Sequence, residues 1–380
     1  MFGSLIGLLA DRLRHVDRIL VLSLLPLIGA SLITLYMFEG ANNFFDRQII
    51  WFLVGGAVFL IFSLSDLRFL RRSQAILVIY LSIAGLLCLL FLAGSIFKGA
   101  KSWFDLGAFA VQPADIMKLG VVLVLAKYFS RRHVEIAHTK HILISGAYAL
   151  LPFFLVLVQP DFGSAIIIFA IWFGMTALSG ISKKHLFLVI GGGILAFVIL
   201  WVGVFQPYQK NRIMTFLNPL HDVRGAGYNA YQSTIAVGSG ELWGKGIGYG
   251  TQSRLKFLPE HETDFIFASF AEEWGFAGVL LLFVSFGVLF MRIARAATVG
   301  ATNFETLYAL GLGIFFLTQF TVHVGMNIGL LPVTGQTLPF LSYGGSHLVT
   351  EFAGLGILMG MRKYARGAHR ENMKNEFLGI

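Results

Sequence analysis

Long apolar runs dominate this chain, and two of them, residues 19–38 and 76–97, can each cross a hydrocarbon core of about 30 Å. An α-helix satisfies its backbone hydrogen bonds internally, so such runs predict membrane-spanning helices. The composition agrees, because 56% of the 380 residues are hydrophobic and only 13% are charged. A soluble domain carries about 25% charged residues, so a water-soluble globule is excluded.

Hydropathy predicts an all-α, polytopic membrane protein with ten spans. The predicted spans are residues 18–38, 48–65, 74–97, 113–129, 142–158, 164–180, 186–205, 265–291, 304–329 and 346–361. Nine spans stay an alternative, because the fourth to sixth are short or polar at one end. Residues 1–380 are interpreted as one membrane domain, since neither a tandem repeat nor a separate soluble domain is evident.

Charge placement predicts the orientation. With ten spans, the basic short loops alternate correctly, and residues such as Arg18, Arg71, Arg292 and Arg362 fall on the cytoplasmic side. Both termini are therefore predicted to be cytoplasmic, and residues 362–380 form a short, basic, flexible tail. The net charge of +9 does not indicate nucleic-acid binding, because the basic residues lie in short loops between apolar spans.

One long polar segment, about residues 206–264, is predicted to lie on the outer side between the seventh and eighth spans. Its Lys210, Arg212 and Arg224 are not a positive-inside signal. They are interpreted either as solvated loop charges or as phosphate ligands, for which Arg offers forked contacts. The glycine tract 238–250 lacks the Gly-Lys-Ser/Thr ending of a nucleotide loop and is interpreted as turns.

Asp264 ends this segment at the start of the eighth predicted span. Ala268, Ala271, Gly275 and Gly278 follow on its face, and small residues permit a close helix contact. A carboxylate above such a contact is rigidly held, as catalysis requires, whereas helix capping is the competing interpretation. Deeper in the same span are two glutamates, and at least one of them is expected to pair internally.

Other charged residues are predicted at the same outer level. Asp115 and Lys118 share one helix face, either as a structural ion pair or as a cavity wall. Asp161 either caps the sixth span or belongs to a site. Lys101 is placed to meet an anionic group, and Trp103 is interpreted first as an interfacial aromatic residue.

The stretch between the last two spans is irregular and polar, and it contains Ser342 and Ser346. Irregular backbone at membrane level must line a cavity or be covered by protein. Glu351, within the last span, is expected to point inward. Together these residues fit an enzyme acting on a lipid-linked anionic substrate, and they also fit a transporter.

Eight stretches resemble the SEDS family (shape, elongation, division and sporulation), in family order over almost the whole chain. They are residues 98–107, 112–118, 159–165, 212–219, 225–250, 252–273, 327–335 and 339–346. Gly-Thr-Gln-Ser followed by Phe-Leu-Pro-Glu looks more like the elongation branch than the division branch. Two positions depart from the family pattern: Asp115 replaces a Glu that is one methylene longer, and Ser102 stands where several members carry Arg.

The resemblance implies a glycosyltransferase of the bacterial cytoplasmic membrane that polymerises lipid II by one inverting displacement and releases undecaprenyl diphosphate. It implies that Asp264 is the essential acid, here interpreted as the general base. Lys101, Lys118 and Arg212 are the candidates for diphosphate contact. The remaining predicted substrate-binding residues are Trp103, Asp115, Asp161, Ser342, Ser346 and Glu351. No metal-ligand cluster is predicted, and Mg²⁺ or Mn²⁺ sharing the diphosphate charge is left open.

The resemblance also implies a partner, a class B penicillin-binding protein whose anchor helix meets a lipid-facing helix surface, besides other proteins of the elongation complex. Two alternatives stay open. A lipid II flippase would use the same cavity without an activated base, although no internal symmetry typical of transporters is evident. A non-enzymatic scaffold for a penicillin-binding protein would tolerate changes at Asp264.

Overall fold

The computed structural model describes residues 16–38, 43–97, 100–105, 107, 109–131, 139–180, 182–203, 205, 207–218, 226–255 and 257–378. Helices make up most of these ranges. They are α1 (Arg18–Met37), α2 (Phe44–Leu64), α3 (Ser73–Ala93), α4 (Pro113–Ser130), α5 (Thr139–Val158), α6 (Phe162–Leu178), α7 (Lys183–Gly203), α8 (Pro207–Leu217), α9 (Ala226–Ser239), α10 (Thr251–Arg254), α11 (Ile266–Thr298), α12 (Asn303–Asn327) and α13 (Gly345–Leu378). Each predicted span coincides with one of these helices, which confirms the all-α fold class.

Within the described ranges, seven helices are long and apolar enough to cross a membrane: α1, α2, α3, α5, α7, α11 and α12. The helices of the other three predicted spans are shorter or more polar. Charged Asp115 and Lys118 lie in α4, α6 has 17 residues, and α13 begins with polar residues. The protein is a multi-pass membrane protein, and the number of crossings and their orientation stay predictions.

The chain after α3 differs from its prediction, because the helix ends at Ala93 and a small antiparallel sheet follows. In this sheet β1 (Ser95–Phe97) pairs with β2 (Ala100–Asp105), which pairs with β3 (Ala110–Val111). Ser95 lies opposite Trp103. The helix stops because Gly94 adopts an extended conformation, which leads the chain into the strand.

Two predicted irregular regions contain helices. The outer segment 206–264 includes α8, α9 and α10, and the basic tail continues α13 as helix up to Leu378. The predicted tail is therefore helical up to Leu378. Its Ala, Arg, Glu, Met and Lys residues are good helix formers, which explains the continuation.

The centre of the bundle is α4, which is buried along almost its whole length. It contacts α3, α5, α6, α12 and α13. Most of α7, in contrast, is exposed. The start of α4, which carries Asp115 and Lys118, therefore lies deep among the helix ends, where a polar group needs a protein partner.

At the end of the bundle that is predicted to be cytoplasmic, Asp17 joins α1, α11 and α13. Its Oδ2 accepts hydrogen bonds from Arg292 Nε (2.9 Å) and Arg362 Nη1 (2.8 Å), and its Oδ1 caps α1. Burial by itself raises the pKa of Asp17, but the hydrogen bonds from the two arginines and the α1 backbone outweigh it and hold the pKa below its ordinary value.

We expect Asp17→Asn to lower the free energy of unfolding by on the order of 3 kcal/mol, because Asn keeps the cap and leaves Arg292 and Arg362 without a counter-charge. Thermal unfolding in detergent at neutral pH measures this loss. The pKa of Asp17 is depressed in the folded state. Its stabilisation is therefore present at neutral pH and is lost as the pH falls through the folded pKa.

Asp66→Asn is the matched control. Asp66 also caps a helical turn and pairs with Arg68, but both side chains of this pair are at least half exposed. A loss of stability as large in Asp66→Asn as in Asp17→Asn would contradict the role of the buried cluster.

Candidate active site

An irregular segment, residues 328–344, connects α12 to α13 and lies largely inside the protein. Leu338, Phe340 and Leu341 are completely buried. The backbone N–H of Phe340 donates to Glu351 Oε2 (2.9 Å), and Gln48 Nε2 donates to the carbonyl of Ser342 (3.2 Å). These contacts confirm that protein covers this stretch and that Glu351 points inward.

Hydrogen bonds dock this segment onto the residues just before α11. Ser342 Oγ accepts from the N–H of Leu338 and donates to the carbonyl of Thr263, both at 2.8 Å. The N–H of Tyr343 donates to the carbonyl of Glu262 (2.9 Å). The backbone that leads into Asp264 is therefore fixed from the side of the 328–344 segment.

Asp264 lies one residue before Phe265, the N-cap position of α11, which has no polar side chain to cap the helix. The cap comes instead from α12: the N–H of Ala268 donates to Asn327 Oδ1 (3.2 Å). Asn327 Nδ2 also donates to the carbonyl of Asp264 (3.0 Å). One buried amide thus fixes both the start of α11 and the backbone of Asp264.

Asp264 is a partly exposed residue, and its carboxylate lies close to Gly335. A Cβ built on Gly335 would be 3.4 Å from Asp264 Oδ2, and Gly335 has a φ of +72°. A side chain at this position would both strain the backbone and touch the carboxylate. The sequence at Gly335 therefore keeps space beside Asp264.

Gln336, the residue after Gly335, contacts a buried ion pair. Lys118 Nζ lies 2.9 Å from Asp115 Oδ1, with side-chain exposures of 2% and 7%. Asp115 therefore reaches its partner although it is one methylene shorter than the usual Glu. Lys118 Nζ also donates to Gln336 Oε1 (3.4 Å), while the carbonyl of Gln336 accepts a hydrogen bond from His323 Nδ1 (2.7 Å).

Asp161 connects the starts of three helices. Its Oδ1 accepts from the N–H of Ser164 (3.0 Å), which is the predicted cap of α6, and its Oδ2 accepts from Gln112 Nε2 (2.7 Å). The N–H of Gln112 donates to Ser346 Oγ at the start of α13 (3.0 Å). Gly163 packs closely on the carbonyl of Thr334, so α6 also borders the 328–344 segment.

Arg212, on α8, lines a pocket of about 80 Å³ on the other part of this segment. Leu331, Pro332 and Val333 form part of its wall, together with Thr215 and Tyr231. The same stretch of chain, residues 331–336, therefore borders Arg212, Asp264 and Lys118. Arg212 is partly exposed, as a side chain that meets a ligand must be.

The other predicted contacts divide into two groups. Trp103 is partly buried in β2, a strand that contacts α4. The backbone of Lys101 also lies in β2, whereas its side chain and all of Arg224 fall outside the described residues. Ser342, Ser346 and Glu351, like Asp115 and Lys118, are buried and bonded within the protein.

The small residues after Asp264 have two kinds of neighbour. Ala268 lies in a buried cluster with Ala236 of α9, which confirms a close helix contact, whereas Ala271 and Gly275 contact the glycine tract. At Gly275 (φ 62°, ψ −167°) α11 is broken. The freed N–H of Phe276 donates to the carbonyl of Glu241 (2.9 Å), and the N–H of Lys245 donates to the carbonyl of Glu272 (3.0 Å). A Cβ on Gly240 would lie 2.0 Å from the carbonyl oxygen of Ala271, so this approach requires glycine.

Glu272 fastens the glycine tract from within α11. Its completely buried carboxylate lies 2.7 Å from Lys245 Nζ and accepts from the N–H groups of Thr251 (2.9 Å) and Gln252. This confirms that one of the two glutamates pairs internally. The turn interpretation of the tract is also confirmed, since Gly244, Gly246 and Gly248 all have positive φ values.

Among the residues that the structure describes, no group of three or more His, Cys, Asp or Glu side chains could hold a metal ion. Asp115 is neutralised by Lys118 and Glu272 by Lys245. No step of the chemistry is derived through a metal.

Sequence reasoning missed three uncharged amides that hold the site together: Gln112, Gln336 and Asn327. Asn327 carries the clearest signal, because a buried amide at the end of an apolar span needs several partners. Gln112 directly precedes a helix, where polar side chains commonly supply hydrogen bonds. Nothing in the sequence around Gln336 distinguishes it from an ordinary loop residue.

These features define a multi-pass helical membrane protein with a partly exposed acid above a buried layer of polar side chains. The family of cell cycle proteins that comprises FtsW, RodA and SpoVE matches residues 12–367, so this chain belongs to that family.

Known relatives span nearly the whole chain. The peptidoglycan glycosyltransferase MrdB of Escherichia coli K12 is 36% identical over 93% of this chain and 95% of its own length. A solved peptidoglycan synthase complex, described as coordinating polymerization and crosslinking, contains a chain with a TM-score of 0.79 and 27% identity, covering 92% of this chain and 98% of that one. Rod shape determining protein RodA of Thermus thermophilus matches with a TM-score of 0.68 and 27% identity, over 91% and 96%.

We expect the Asp115–Lys118 pair to show strong coupling in a double-mutant cycle. Asp115→Asn or Lys118→Met alone should each cost about 3 kcal/mol of unfolding free energy, because each leaves one buried charge uncompensated. The double variant should lose clearly less than the sum of the two, because no uncompensated charge remains. Unfolding in mixed detergent micelles measures the four free energies.

The same cycle at the exposed Asp66–Arg68 pair is the control, with Asp66→Asn and Arg68→Met, and a coupling of at most about 1 kcal/mol is expected there. Strict additivity at Asp115 and Lys118 would show that the two charges do not stabilise each other and would contradict the expected coupling.

Proposed function

We propose that this chain is a peptidoglycan glycosyltransferase that polymerises lipid II into β-1,4-linked glycan strands on the outer face of the bacterial cytoplasmic membrane. Family membership and the names of the relatives support the reaction. Their similarity to RodA and MrdB favours a role in cell elongation and shape. The observation that carries the site is Asp264, a partly exposed residue whose carboxylate lies beside Gly335 and whose backbone is held by Asn327.

Asp264 is the proposed general base. The 4-hydroxyl oxygen of the acceptor GlcNAc attacks the anomeric carbon of the donor MurNAc, the bond from that carbon to the diphosphate oxygen breaks, and the hydroxyl proton passes to Asp264. One displacement inverts the α-linked donor to a β-linked product. Because Asn327 holds the Asp264 backbone and Gly335 leaves space beside the carboxylate, the base is positioned before the substrate arrives.

Arg212 is the proposed contact for the leaving diphosphate. It is partly exposed and lines a pocket, and its guanidinium can form forked hydrogen bonds to phosphate oxygens. Lys101 is proposed as a second contact for the diphosphate, on the evidence of the sequence. Lys118 is buried and already neutralised by Asp115, so we assign this pair a positioning role beneath Gln336.

Buried polar residues form the supporting layer in this proposal. Ser342 and Glu351 use their polar atoms to fix the 328–344 segment, which carries Gly335 and Gln336. Ser346 and Asp161 both bond to Gln112 and so fix the start of α4. None of the four is proposed to contact the sugar directly. Trp103, which is partly buried in β2, stays a proposed substrate contact on sequence grounds.

A class B penicillin-binding protein is the proposed partner, joined through a lipid-facing helix surface. This proposal is supported by the solved synthase complex, in which polymerization and crosslinking are coordinated. Mg²⁺ or Mn²⁺ could still accompany the substrate, because the diphosphate itself offers oxygen ligands.

Asp264→Asn tests the proposed base, since it keeps the side-chain size and removes the charge and basicity. We expect the purified variant, mixed with lipid II and the cognate penicillin-binding protein, to form no glycan, while the wild type forms strands. Electrophoresis of the polymer measures the product, and thermal unfolding checks that the variant is folded. The glutamate two positions earlier provides the control, Glu262→Gln, which should stay active.

Full activity of Asp264→Asn would remove Asp264 from the role of base. If the wild type itself made no polymer, even with the partner present, the polymerase proposal would fail, and lipid II transport or a scaffolding role would replace it.

We expect Asn327→Leu to lower kcat by about 10-fold or more with little change in KM, because the Asp264 backbone loses its hydrogen bond and the base is misplaced. Steady-state polymerisation of lipid II measures both constants. Ser233→Ala is the matched control: Ser233 Oγ bonds to Asn327 (2.8 Å to its carbonyl) but not to Asp264. Equal losses in the two variants would show that Asn327 acts only through general stability.

A further inference from the structure

The glycine-rich loop, residues 240–250, presents a cluster of apolar side chains outward. Leu242 is 64% exposed, Trp243 82%, Ile247 39% and Tyr249 68%. An exposed apolar cluster of this kind in a polar outer segment indicates a binding surface. None of these side chains takes part in the proposed chemistry.

Backbone hydrogen bonds fix the loop to the break in α11. The N–H of Gly246 donates to the carbonyl of Glu273 (3.1 Å), and the N–H of Ala277 donates to the carbonyl of Leu242 (3.0 Å). Together with the two bonds at Lys245 and Phe276, these contacts satisfy polar groups that the break would otherwise leave free. Irregular backbone can lie at the edge of a membrane only under this condition.

The length of α1 indicates the depth of the loop relative to the membrane. α1 has 20 residues, which corresponds to about 30 Å at a rise of 1.5 Å per residue, the thickness of the hydrocarbon core. Asp17 lies at one end of α1, and Met37 lies at the other. A Cβ on Gly248 would be 2.9 Å from Met37 Sδ, so the loop touches the far end of α1.

The length of α11 gives the same depth for the loop. Arg292 of α11 bonds to Asp17, so the distances along α1 and α11 can both be counted from the level of Asp17. From Arg292 to Gly275, where the loop is attached, α11 rises about 25 Å. Both distances therefore place the loop close to one core thickness from the Asp17 cluster, at the opposite boundary between lipid and water.

We infer that the glycine-rich loop is a membrane-interface anchor whose outward side chains, Leu242, Trp243, Ile247 and Tyr249, insert into the lipid bilayer near the headgroups. Trp and Tyr concentrate at this level because their rings are apolar and their N–H or O–H groups reach water. The charges of the loop are compatible with this position. Lys245 is paired with Glu272, and exposed Glu241 can reach the headgroup water.

Site-directed fluorescence in lipid nanodiscs tests the anchor on the full chain. Cys88 is the single cysteine of the sequence, so Cys88→Ser provides a background in which Trp243→Cys carries a bimane label. The labelled protein is reconstituted with phosphatidylcholine that bears a nitroxide either high on its acyl chain or near the chain end, and iodide is the aqueous quencher. Tyr249→Cys is a second labelling site, and neither exposed position should disturb the fold.

Two labels serve as controls. Native Cys88 is exposed on the apolar helix α3 and should report lipid. Asn211→Cys, in the Cys88→Ser background, lies at an exposed polar position of α8 and should report water. At positions 243 and 249 we expect a larger loss of fluorescence from the shallow nitroxide than from the deep one, and less quenching by iodide than at position 211.

Quenching by iodide at the level of position 211, without quenching by either lipid, would overturn the anchor and favour a water-soluble protein domain as the occupant of this surface. The same result at only one of the two positions would also overturn it, because both side chains belong to the proposed inserted cluster. This test needs neither substrate nor activity and is therefore independent of the proposed function.

Discussion

Irregular backbone inside a helical membrane protein must find its hydrogen bonds within the protein. The 328–344 segment meets this requirement through side chains of the surrounding helices. Glu351 and Gln48 bond its backbone from α13 and α2, while His323 bonds it from α12. Buried charged and amide side chains are therefore needed around this segment, because its backbone groups have no helical partners. If these partners were lost, neither Gly335 nor Gln336 would have a defined position.

The same segment links the acid of the site to its surroundings. Ser342 of this segment bonds to the carbonyl of Thr263, directly before Asp264, and Gly335 lies beside the Asp264 carboxylate. Gln336 accepts a hydrogen bond from Lys118 of the buried ion pair. The earlier residues of the segment, 331–333, form a wall of the Arg212 pocket. A base and a cation that are far apart in sequence thus border one short stretch of chain, which suits a reaction that needs proton removal at one point and anion stabilisation at another.

Much of the fold could be predicted because the apolar runs have the length and composition that a membrane requires. The Asp115–Lys118 pair was readable from its spacing of three residues, and the Asp161 cap from its place before a helix. The cap that Asn327 supplies to α11 was not readable, because it depends on how two helices meet. The small residues after Asp264 indicated close packing correctly, and Ala268 does pack against a helix, α9. The contact at Gly275 was not readable, since its positive φ breaks the helix and brings in the glycine tract.

A structure of the full chain in nanodiscs, determined by electron cryo-microscopy with lipid II bound to Asp264→Asn, tests the central claim most directly. We expect the acceptor 4-hydroxyl within hydrogen-bond distance of residue 264 and the donor diphosphate at the Arg212 pocket, with the 331–336 segment between them. A diphosphate beside residue 264, or sugars that bind away from this segment, would contradict the role of Asp264 as the base.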